Sequence, residues 1–358
     1  MISVHPTVDI NLFVYNGAAT LAETIESIVA QTWPALTLTL IDNGSTDATR
    51  DIAQLYADRV NWIRVRKNHA NTGAVANCQR AFWHGDADFV MPKTADDLLA
   101  PDFVARLMAV LLEHPGTALC HAAGLVFTGP GTVRTVYPPE HRLFAVGPDP
   151  VERAWQVMSH YTTAPGFWGI YRRAAVDRLL RIPYRSGWDH AVLAELALYG
   201  EIRHVPDCLY WRRDGGGPVL RLARECTAYA QRGLPVDDEL ADPGWRTPLI
   251  TTAFNHLEVF SLARIEPERR NTLMQLAVQV FRARWLPLMR REAAAFRSQL
   301  PGLMATLVQQ DRVVAGWMAR HLSEALIAIE TILPEEDFSI AQLEIATLTA
   351  ERLRPQAA

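Results

Sequence analysis

Residues 9–47 read DINLFVYNGAATLAETIESIVAQTWPALTLTLIDNGSTD and alternate two short apolar runs with one amphipathic segment. The first run covers residues 9–15 and stops at Asn16-Gly17, a dipeptide typical of turns. The second run covers residues 37–41 and stops at Asp42-Asn43-Gly44. Between them, apolar residues recur every three or four positions, which is the spacing of one helical face. The pattern predicts a strand, a helix and a second strand.

The segment between these strands carries a helix start signal. Thr20 is followed three residues later by Glu23, which is the spacing of a capping box. We therefore expect Thr20 to cap the helix. The predicted buried face consists of Leu21, Ile25, Ile28 and Val29.

The same alternation continues along the chain and predicts an α/β fold with a mostly parallel sheet. In such sheets ligands bind beyond the carboxyl ends of the strands, so the residues that follow each strand are the candidate site residues. Further helices are predicted at residues 47–57, 72–84, 101–113, 152–160 and 188–199. Further strands are predicted at residues 60–65, 88–91, 118–127, 166–171 and 202–211.

A domain boundary is predicted near residue 215, where Gly215-Gly216-Gly217-Pro218 breaks the pattern. Residues 1–215 then form one domain. Residues 216–358 show only helical patterns interrupted by prolines, Pro267, Pro287 and Pro301 among them, and are predicted to form an all-α C-terminal domain.

Composition excludes several classes of protein. The chain has 358 residues, is 49% hydrophobic and 21% charged, and carries a formal net charge of −4. These values are typical of a folded globular chain, and the lack of a basic excess argues against a nucleic-acid partner. No apolar run has the length of a transmembrane helix, and the N-terminus lacks a secretory signal pattern. The four cysteines show no paired spacing, so we expect a reducing compartment and a cytoplasmic protein.

Acidic residues follow two of the predicted strands. Asp42 ends the second strand, and Asp96 and Asp97 follow the fourth. Neighbouring carboxylates at a strand end suit a hard divalent cation that keeps open positions for phosphate oxygens. When each motif is taken alone, solvated turns and helix caps explain the same residues better than a metal site does.

Four motifs in order narrow the choice. They are Val14-Tyr15-Asn16-Gly17, Asp42-Asn43-Gly44-Ser45-Thr46-Asp47, Asn71-Thr72-Gly73-Ala74 and Lys93-Thr94-Ala95-Asp96-Asp97. This series closely resembles the family 2 glycosyltransferases, which are inverting enzymes of the GT-A fold, a Rossmann-like nucleotide-diphospho-sugar transferase fold. The resemblance covers roughly residues 8–215. Residues 169–173, 188–197 and 209–213 resemble the family's later segments: the one before the acceptor helix, the helix of the catalytic base, and the final arginine strand.

The resemblance implies a nucleotide site. It implies that Asp42 accepts a hydrogen bond from the base edge, which makes a uridine nucleotide the first candidate, although guanine and thymine also carry ring N–H groups. Lys93 would lie under the sugar or tether its strand. The other residues placed at the nucleotide by the resemblance are Val14, Tyr15, Asn16, Asn71, Gly73 and Asp96.

The resemblance also implies a metal site for Mn²⁺ or Mg²⁺ on the diphosphate. Asp96 and Asp97 would hold the ion, with Asp97 as the direct ligand. The chain departs from the family in having Thr94 where many relatives have an acid. It also lacks a histidine after the arginine strand, where Asp214 is the available oxygen ligand.

The remaining implied roles concern the reaction. Asp189 would be the general base that removes the proton of an acceptor hydroxyl. Arg212 and Arg213 would bind the diphosphate, and Trp168 and Trp188 would lie on the acceptor side. A normal helix cap explains Asp189 as well, and its place near a helix start should lower its pKa.

The expected function is transfer of a hexosyl or N-acetylhexosaminyl group to a glycan, lipid-linked or protein acceptor, as in polysaccharide biosynthesis. The alternative is a non-catalytic sugar-nucleotide-binding subunit or scaffold of a glycan assembly system. The C-terminal helices are predicted to pack as a bundle. They could also form a homo-oligomer interface, an acceptor lid, or a peripheral contact with the inner face of a membrane through arginines around Trp285.

Overall fold

The computed structural model describes residues 5–129, 132–136, 142–160, 165–180, 187–214, 247–309 and 312–353. The chain divides into two compact units. One comprises residues 1–181 with 192–225, and the other comprises residues 182–191 with 226–358. The boundary predicted near residue 215, and the helical segments predicted between residues 219 and 246, lie outside the described residues.

The first unit is built on one mixed sheet, whose described strands run in the order β3-β2-β1-β4-β8-β6-β9-β5, with β7 paired to β6. β1 pairs in parallel with both β2 and β4, and β2 pairs in parallel with β3. β8 is antiparallel to both of its neighbours. The strands are β1 Val8–Val14, β2 Leu36–Asp42, β3 Ile63–Lys67, β4 Phe89–Thr94, β5 Leu98–Leu99, β6 Thr117–Gly129, β7 Thr132–Val136, β8 Gly169–Arg172 and β9 Glu201–Arg213.

Helices follow most of these strands, as the sequence predicts for an α/β fold. They are α1 Leu21–Val29, α2 Thr49–Arg59, α3 Ala74–Trp83, α4 Phe103–Glu113, α5 Pro150–Ser159, α6 Arg173–Val176 and α7 Trp188–Tyr199. The division between the two units falls inside α7, after Ala191. The α/β class is confirmed, but the sheet is less parallel than predicted because β8, β5 and β7 join it antiparallel.

The core of the first unit lies between the sheet and its helices. Ile10, Leu12, Leu38 and Leu40 of the central strands are fully buried, and so are Leu21, Ile25 and Ile28 of α1. Val29, predicted on the same helical face, is 41% exposed because it is the last residue of α1.

The predicted capping box at α1 is wrong. The side chain of Thr20 makes no cap hydrogen bond, and its hydroxyl donates instead to the carbonyl oxygen of Ala95 over 2.8 Å. Glu23 forms an ion pair with Arg213. Tertiary partners in the loop after β4 and in β9 have replaced the local cap, so these two residues tie α1 to the carboxyl edge of the sheet.

Within the described residues, the second unit contains four long helices. They are α8 Pro248–Leu262, α9 Pro267–Gln309, α10 Arg312–Ile332 and α11 Ser339–Leu353. Pro287 and Pro301 lie inside α9, where the sequence predicts breaks. Buried residues occur on both sides of Pro287, with Phe281 before it and Met289 after it. Burial of this face offsets the backbone hydrogen bond that a proline removes.

Three arginines of α9 are paired with acidic residues of the same unit. Arg282 and Arg290 both contact Glu335, and Arg297 contacts Glu336. These two carboxylates offset part of the positive charge of the arginines around Trp285. No helix in the described part of the chain has the length and apolar character needed to cross a bilayer.

Candidate functional site

The site is organised by three neighbouring parallel strands that end at one edge of the sheet. Val14 at the end of β1 lies opposite Asp42 at the end of β2, and Phe13 lies opposite Thr94 at the end of β4. The structure therefore brings together the strand-end residues that the sequence singles out in the first two motifs and in the Asp96-Asp97 segment.

Asp42 is a buried carboxylate with an incomplete set of partners. Its side chain is 1% exposed, and Oδ1 accepts a hydrogen bond from the backbone N–H of Ser45 over 2.9 Å. Oδ2 is buried and has no hydrogen-bond partner among the described residues. A buried unsatisfied acceptor is costly, so Oδ2 is suited to receive a donor from a bound molecule.

The loops after β1 and β2 are held together by side chains. Asn16 has the left-handed backbone conformation, with φ at 48°. Its backbone N–H donates to Oγ of Ser45 over 2.9 Å, and its Oδ1 accepts from the N–H of Thr46 over 2.8 Å. Gly17 N–H donates to the hydroxyl of Thr49 over 2.8 Å. Asn16 is exposed and Tyr15 is half-buried, so both flank the edge at Val14 and Asp42.

Asn43 connects this edge to the third motif. Its amide nitrogen donates to Asn71 Oδ1 over 2.7 Å and to the carbonyl oxygen of Gly73 over 3.1 Å. Its Oδ1 accepts from Asn68 and from the backbone of Thr72. An aspartate here could not donate either of the first two bonds. The sequence alone did not indicate this role for Asn43.

Lys93 lies beneath the loop after β4. Its side chain is fully buried, and Nζ donates to the carbonyl oxygens of Asp97 over 2.7 Å and Thr94 over 3.0 Å. Burial lowers the pKa of Lys93 to about 8, and the negative charge of Asp97 opposes that shift. Of the two roles left open for Lys93, these contacts favour the tether.

The carboxylate of Asp97 is satisfied by its own chain. Oδ2 accepts from the hydroxyl of Tyr210 over 2.6 Å and from that of Thr94 over 3.0 Å, and Oδ1 accepts from the N–H of Arg213 over 2.9 Å. Burial, and then the charge of Asp96, raise its pKa. This arrangement argues against Asp97 as a direct metal ligand. Asp96 is half-buried at the same loop.

Arg213 is an anchor of this loop. Its Nε donates to the carbonyl oxygen of Asp96 over 2.9 Å, and Nη2 contacts Glu23. These contacts argue against the predicted diphosphate contact for Arg213, whereas Arg212 is exposed. The described residues hold no group of three His, Cys, Asp or Glu side chains placed for a metal.

Trp168 packs on the aromatic side chains of the sheet. Its ring stacks on Tyr210 at a centroid distance of 6.3 Å and on Phe13 at 6.3 Å. Trp168 and Trp211 are partly buried against the hydrophobic core. These contacts favour the core role over the acceptor-side role predicted for Trp168.

Asp189 lies in the first turn of α7, in the part of that helix that groups with the second unit. Burial raises its pKa to about 6, although hydrogen bonds from the backbone N–H groups of His190 and Asp189 oppose the shift. The backbone N–H groups at the helix start lower this pKa, as the sequence predicts, but desolvation exceeds their effect and the net shift is upward. Trp188 beside it is buried.

Comparison with known families agrees with the strand-end motifs. Residues 10–180 match the family model described as Glycosyl transferase family 2. The putative glycosyltransferase EpsE of Bacillus subtilis is 33% identical over 34% of this chain and 44% of its own length. The uncharacterized glycosyltransferase YibD of Escherichia coli is 36% identical over 30% and 31%, and the putative teichuronic acid biosynthesis glycosyltransferase TuaG of B. subtilis is 27% identical over 28% and 40%. The matched segments thus span less than half of these relatives.

Solved structures agree with the fold. S. aureus TarS 1-349 in complex with UDP-GlcNAc has a TM-score of 0.57 at 14% identity, over 96% of this chain and 91% of that chain. The same protein in complex with UDP has a TM-score of 0.56 at 15% identity, over 96% and 90%. At this identity the likeness establishes the α/β GT-A fold alone. The family match covers residues 10–180, just under half of the chain, and this segment is similar to glycosyl transferase family 2.

Proposed function

We propose that this chain is an inverting glycosyltransferase that moves a sugar from a nucleoside diphosphate sugar, first of all a UDP-sugar, to a hydroxyl acceptor. The observation that carries the proposal is the buried Oδ2 of Asp42, which has no partner among the described residues and lies at the carboxyl edge of the sheet. The family match and the UDP and UDP-GlcNAc complexes of TarS support it.

The donor site lies around Asp42. The N3–H group of uracil supplies the donor that Oδ2 needs, and the neutral N3 of cytosine does not. Val14 and Tyr15 flank the base, and Asn43 holds Asn71 and Gly73 in place beside it. A bound uridine thereby satisfies the one buried carboxylate oxygen that the described residues leave without a partner.

The donor set at the end of β4 fits a divalent cation. Asp96 offers a half-buried carboxylate, and its carbonyl oxygen is held by Arg213. Mg²⁺ and Mn²⁺ are commonly held by one or two carboxylates with phosphate oxygens and water in the other positions. We assign the ion to Asp96 in place of Asp97. When bound, the ion stabilises the negative charge of the leaving diphosphate.

Asp189 is the proposed general base. The acceptor oxygen forms a bond to the anomeric carbon, and the bond from that carbon to the diphosphate oxygen breaks with its electron pair. The hydroxyl proton passes to the carboxylate of Asp189. A pKa of about 6 leaves this carboxylate ionised at neutral pH and makes it a stronger base than an ordinary aspartate.

Turnover is tested with a panel of UDP-hexoses and UDP-N-acetylhexosamines by measuring UDP release, with water and simple glycosides as acceptors. The wild type is expected to release UDP from at least one donor, and Asp189→Asn is expected to be at least about 100-fold slower. An Asp189→Asn variant as fast as the wild type would contradict the assignment of the base.

A non-catalytic sugar-nucleotide-binding subunit is the second candidate. It is favoured by Thr94 in place of an acid and by the full hydrogen bonding of Asp97, which leave Asp96 as the remaining carboxylate of the motif. Tight UDP binding with no UDP release from any donor would favour this candidate.

A further inference from the structure

Gly187 directly precedes α7, the helix that carries Asp189. Its carbonyl oxygen accepts from the N–H groups of His190 over 3.2 Å and Ala191 over 3.3 Å, which closes the first turn of α7. Its φ of 74° lies in the left-handed region that favours glycine. The position of Gly187 therefore determines where the first turn of α7 begins and where Asp189 lies.

Thr252 of α8 packs directly on Gly187. A Cβ atom added to Gly187 would lie 2.0 Å from Oγ1 of Thr252 and 2.7 Å from both Cβ and Cγ2 of that residue. Thr252 is 2% exposed, and its hydroxyl donates to the carbonyl oxygen of Pro248 over 2.6 Å. The side chain is thus held in one place, and α8 leaves no room for a larger residue at Gly187.

An electrostatic interaction also links the same two helices. His190 and His256 are both buried, and burial, followed by the repulsion that a protonated His256 would add, lowers the pKa of His190 well below its ordinary value. Nδ1 of His256 lies 2.7 Å from the carbonyl oxygen of Thr252, so the ring donates along its own helix. The ring of Phe281, from α9, packs on His256 with the centroids 4.9 Å apart. Residues on both sides of Asp189 therefore interact with α8.

α8 is itself anchored to α9. The carboxylate of Glu292 accepts from the backbone N–H of Leu249 over 3.1 Å and from that of Ile250 over 3.2 Å, which satisfies free donors at the start of α8. The surface that meets Gly187 is thus fixed within the helical unit.

We propose that Thr252 and His256 are positioning residues for the base, and that α8 is the platform on which the start of α7 is set. α8 then acts on the reaction through the position of Asp189. This inference rests on the proposed function in so far as Asp189 is the base, whereas the packing of Gly187 on Thr252 is independent of it.

Hydrogen exchange of the full chain, read by mass spectrometry, tests the platform without an activity assay. Gly187→Ala is expected to raise amide exchange at residues 187–191 at least about tenfold, because the first turn must move away from α8. Gly302→Ala is the matched control, since a Cβ atom there meets nothing within 4 Å. The double variant Gly187→Ala with Thr252→Gly removes the contacting atoms and should recover part of the protection.

Wild-type exchange in Gly187→Ala, or no recovery in the double variant, would overturn the platform. If Gly187→Ala does not fold, amide exchange at residues 187–191 is measured in Thr252→Ala, which removes the contacting atoms. Thr252→Val keeps the shape of the side chain and serves as the control for this variant. Unchanged exchange in Thr252→Ala would then overturn the proposal.

Measurements of UDP release then distinguish three possibilities: a role of Gly187 in positioning Asp189, a role in folding alone, and a failure of the proposed function. In Gly187→Ala, kcat for UDP release from a UDP-sugar is expected to fall about tenfold, with the KM of the donor and the Kd of UDP unchanged. Wild-type kcat in this variant together with an inactive Asp189→Asn would overturn the positioning role alone. Full activity of Asp189→Asn would overturn the base, and the exchange data would still decide the packing.

Discussion

The hydroxyl of Tyr210 donates a hydrogen bond to Oδ2 of Asp97 over 2.6 Å, and so joins β9 to the loop after β4. The backbone N–H of Arg213, three residues further along β9, donates to the other carboxylate oxygen of Asp97. Burial, followed by the charge of Asp97, raises the pKa of Tyr210 well above its ordinary value, so the phenol keeps its proton. The shape of the loop that carries Asp96 is therefore set by a strand distant in sequence.

Tyr210→Phe should destabilise the first unit, because it removes one donor from a buried carboxylate. We expect a loss of about 1–3 kcal/mol in the free energy of unfolding, measured by urea denaturation at pH 7. Tyr56→Phe is the matched control, since its hydroxyl bonds Glu26 at the surface, and a change below about 0.5 kcal/mol is expected there. Equal stability of the two variants would show that the Tyr210 bond does not hold the loop.

The assignment of the metal to Asp96 predicts different results for the two carboxylates. Asp96→Ala should abolish the increase in UDP affinity that Mn²⁺ produces, with little change in stability. Asp97→Asn should mainly destabilise the fold, because Oδ1 and Oδ2 are bonded within the chain. Calorimetric titration of UDP with and without Mn²⁺ checks this. Loss of the metal effect in Asp97→Asn and its survival in Asp96→Ala would restore Asp97 as the ligand.

The pKa of Asp189 predicts the acid limb of the pH–rate profile. The base must be ionised, so kcat/KM for UDP release should fall about tenfold per pH unit below a pH of about 6. The measurement is a profile from pH 4.5 to 8.5 in constant ionic strength. A profile that stays flat down to pH 5 would exclude Asp189, with this pKa, as the group that limits the rate.

Asp189→Asn should also make the folded chain more stable at high pH. The pKa of Asp189 rises from the ordinary value of 3.8, which applies to the unfolded chain, to about 6 in the folded chain. The folded chain therefore holds this proton more tightly than the unfolded chain. Ionisation of Asp189 therefore lowers the free energy of unfolding as the pH rises from about 4 to about 6. The full destabilisation is present above about pH 6. We expect the variant to gain up to about 3 kcal/mol at pH 8.

The same variant should show no gain at pH 4, where the wild-type carboxyl is protonated in the folded state. Urea denaturation at the two pH values provides the comparison. A gain of equal size at pH 4 and pH 8 would mean that packing of the amide, and not removal of a buried charge, explains the effect.

Much of the fold follows from local patterns in the sequence. The alternation of apolar runs and helical faces locates the parallel strands, and the predicted helix at residues 188–199 matches α7. Pairing of β8 and β9 with distant strands is not encoded in any local period, so the mixed half of the sheet was not predicted. The hairpin strand β7 was also missed, since residues 128–150 contain the Gly and Pro that indicate loops.

The candidate site was predicted in its location and less well in its roles. Strand-end position alone brings Asp42 and Asp96 to one edge. Two of the three partners of Asp97, Tyr210 and Arg213, come from β9 and could not be predicted from spacing. The contact of Thr20 with Ala95 is also tertiary and could not be predicted from the local sequence. Raised pKa values such as that of Asp189 depend on burial, which a sequence pattern does not measure.

The central claim is that Asp42 receives the base of a uridine nucleotide, and calorimetric titration of UDP into the wild type and Asp42→Ala in the presence of Mn²⁺ tests it most directly. A hydrogen bond to a charged acceptor predicts at least about tenfold weaker binding in the variant, with CDP weak in both. Asp58→Ala, a change on the exposed face of α2, should bind UDP as the wild type does. Equal affinity of wild type and Asp42→Ala for UDP, or no binding of UDP to the wild type, would contradict the account.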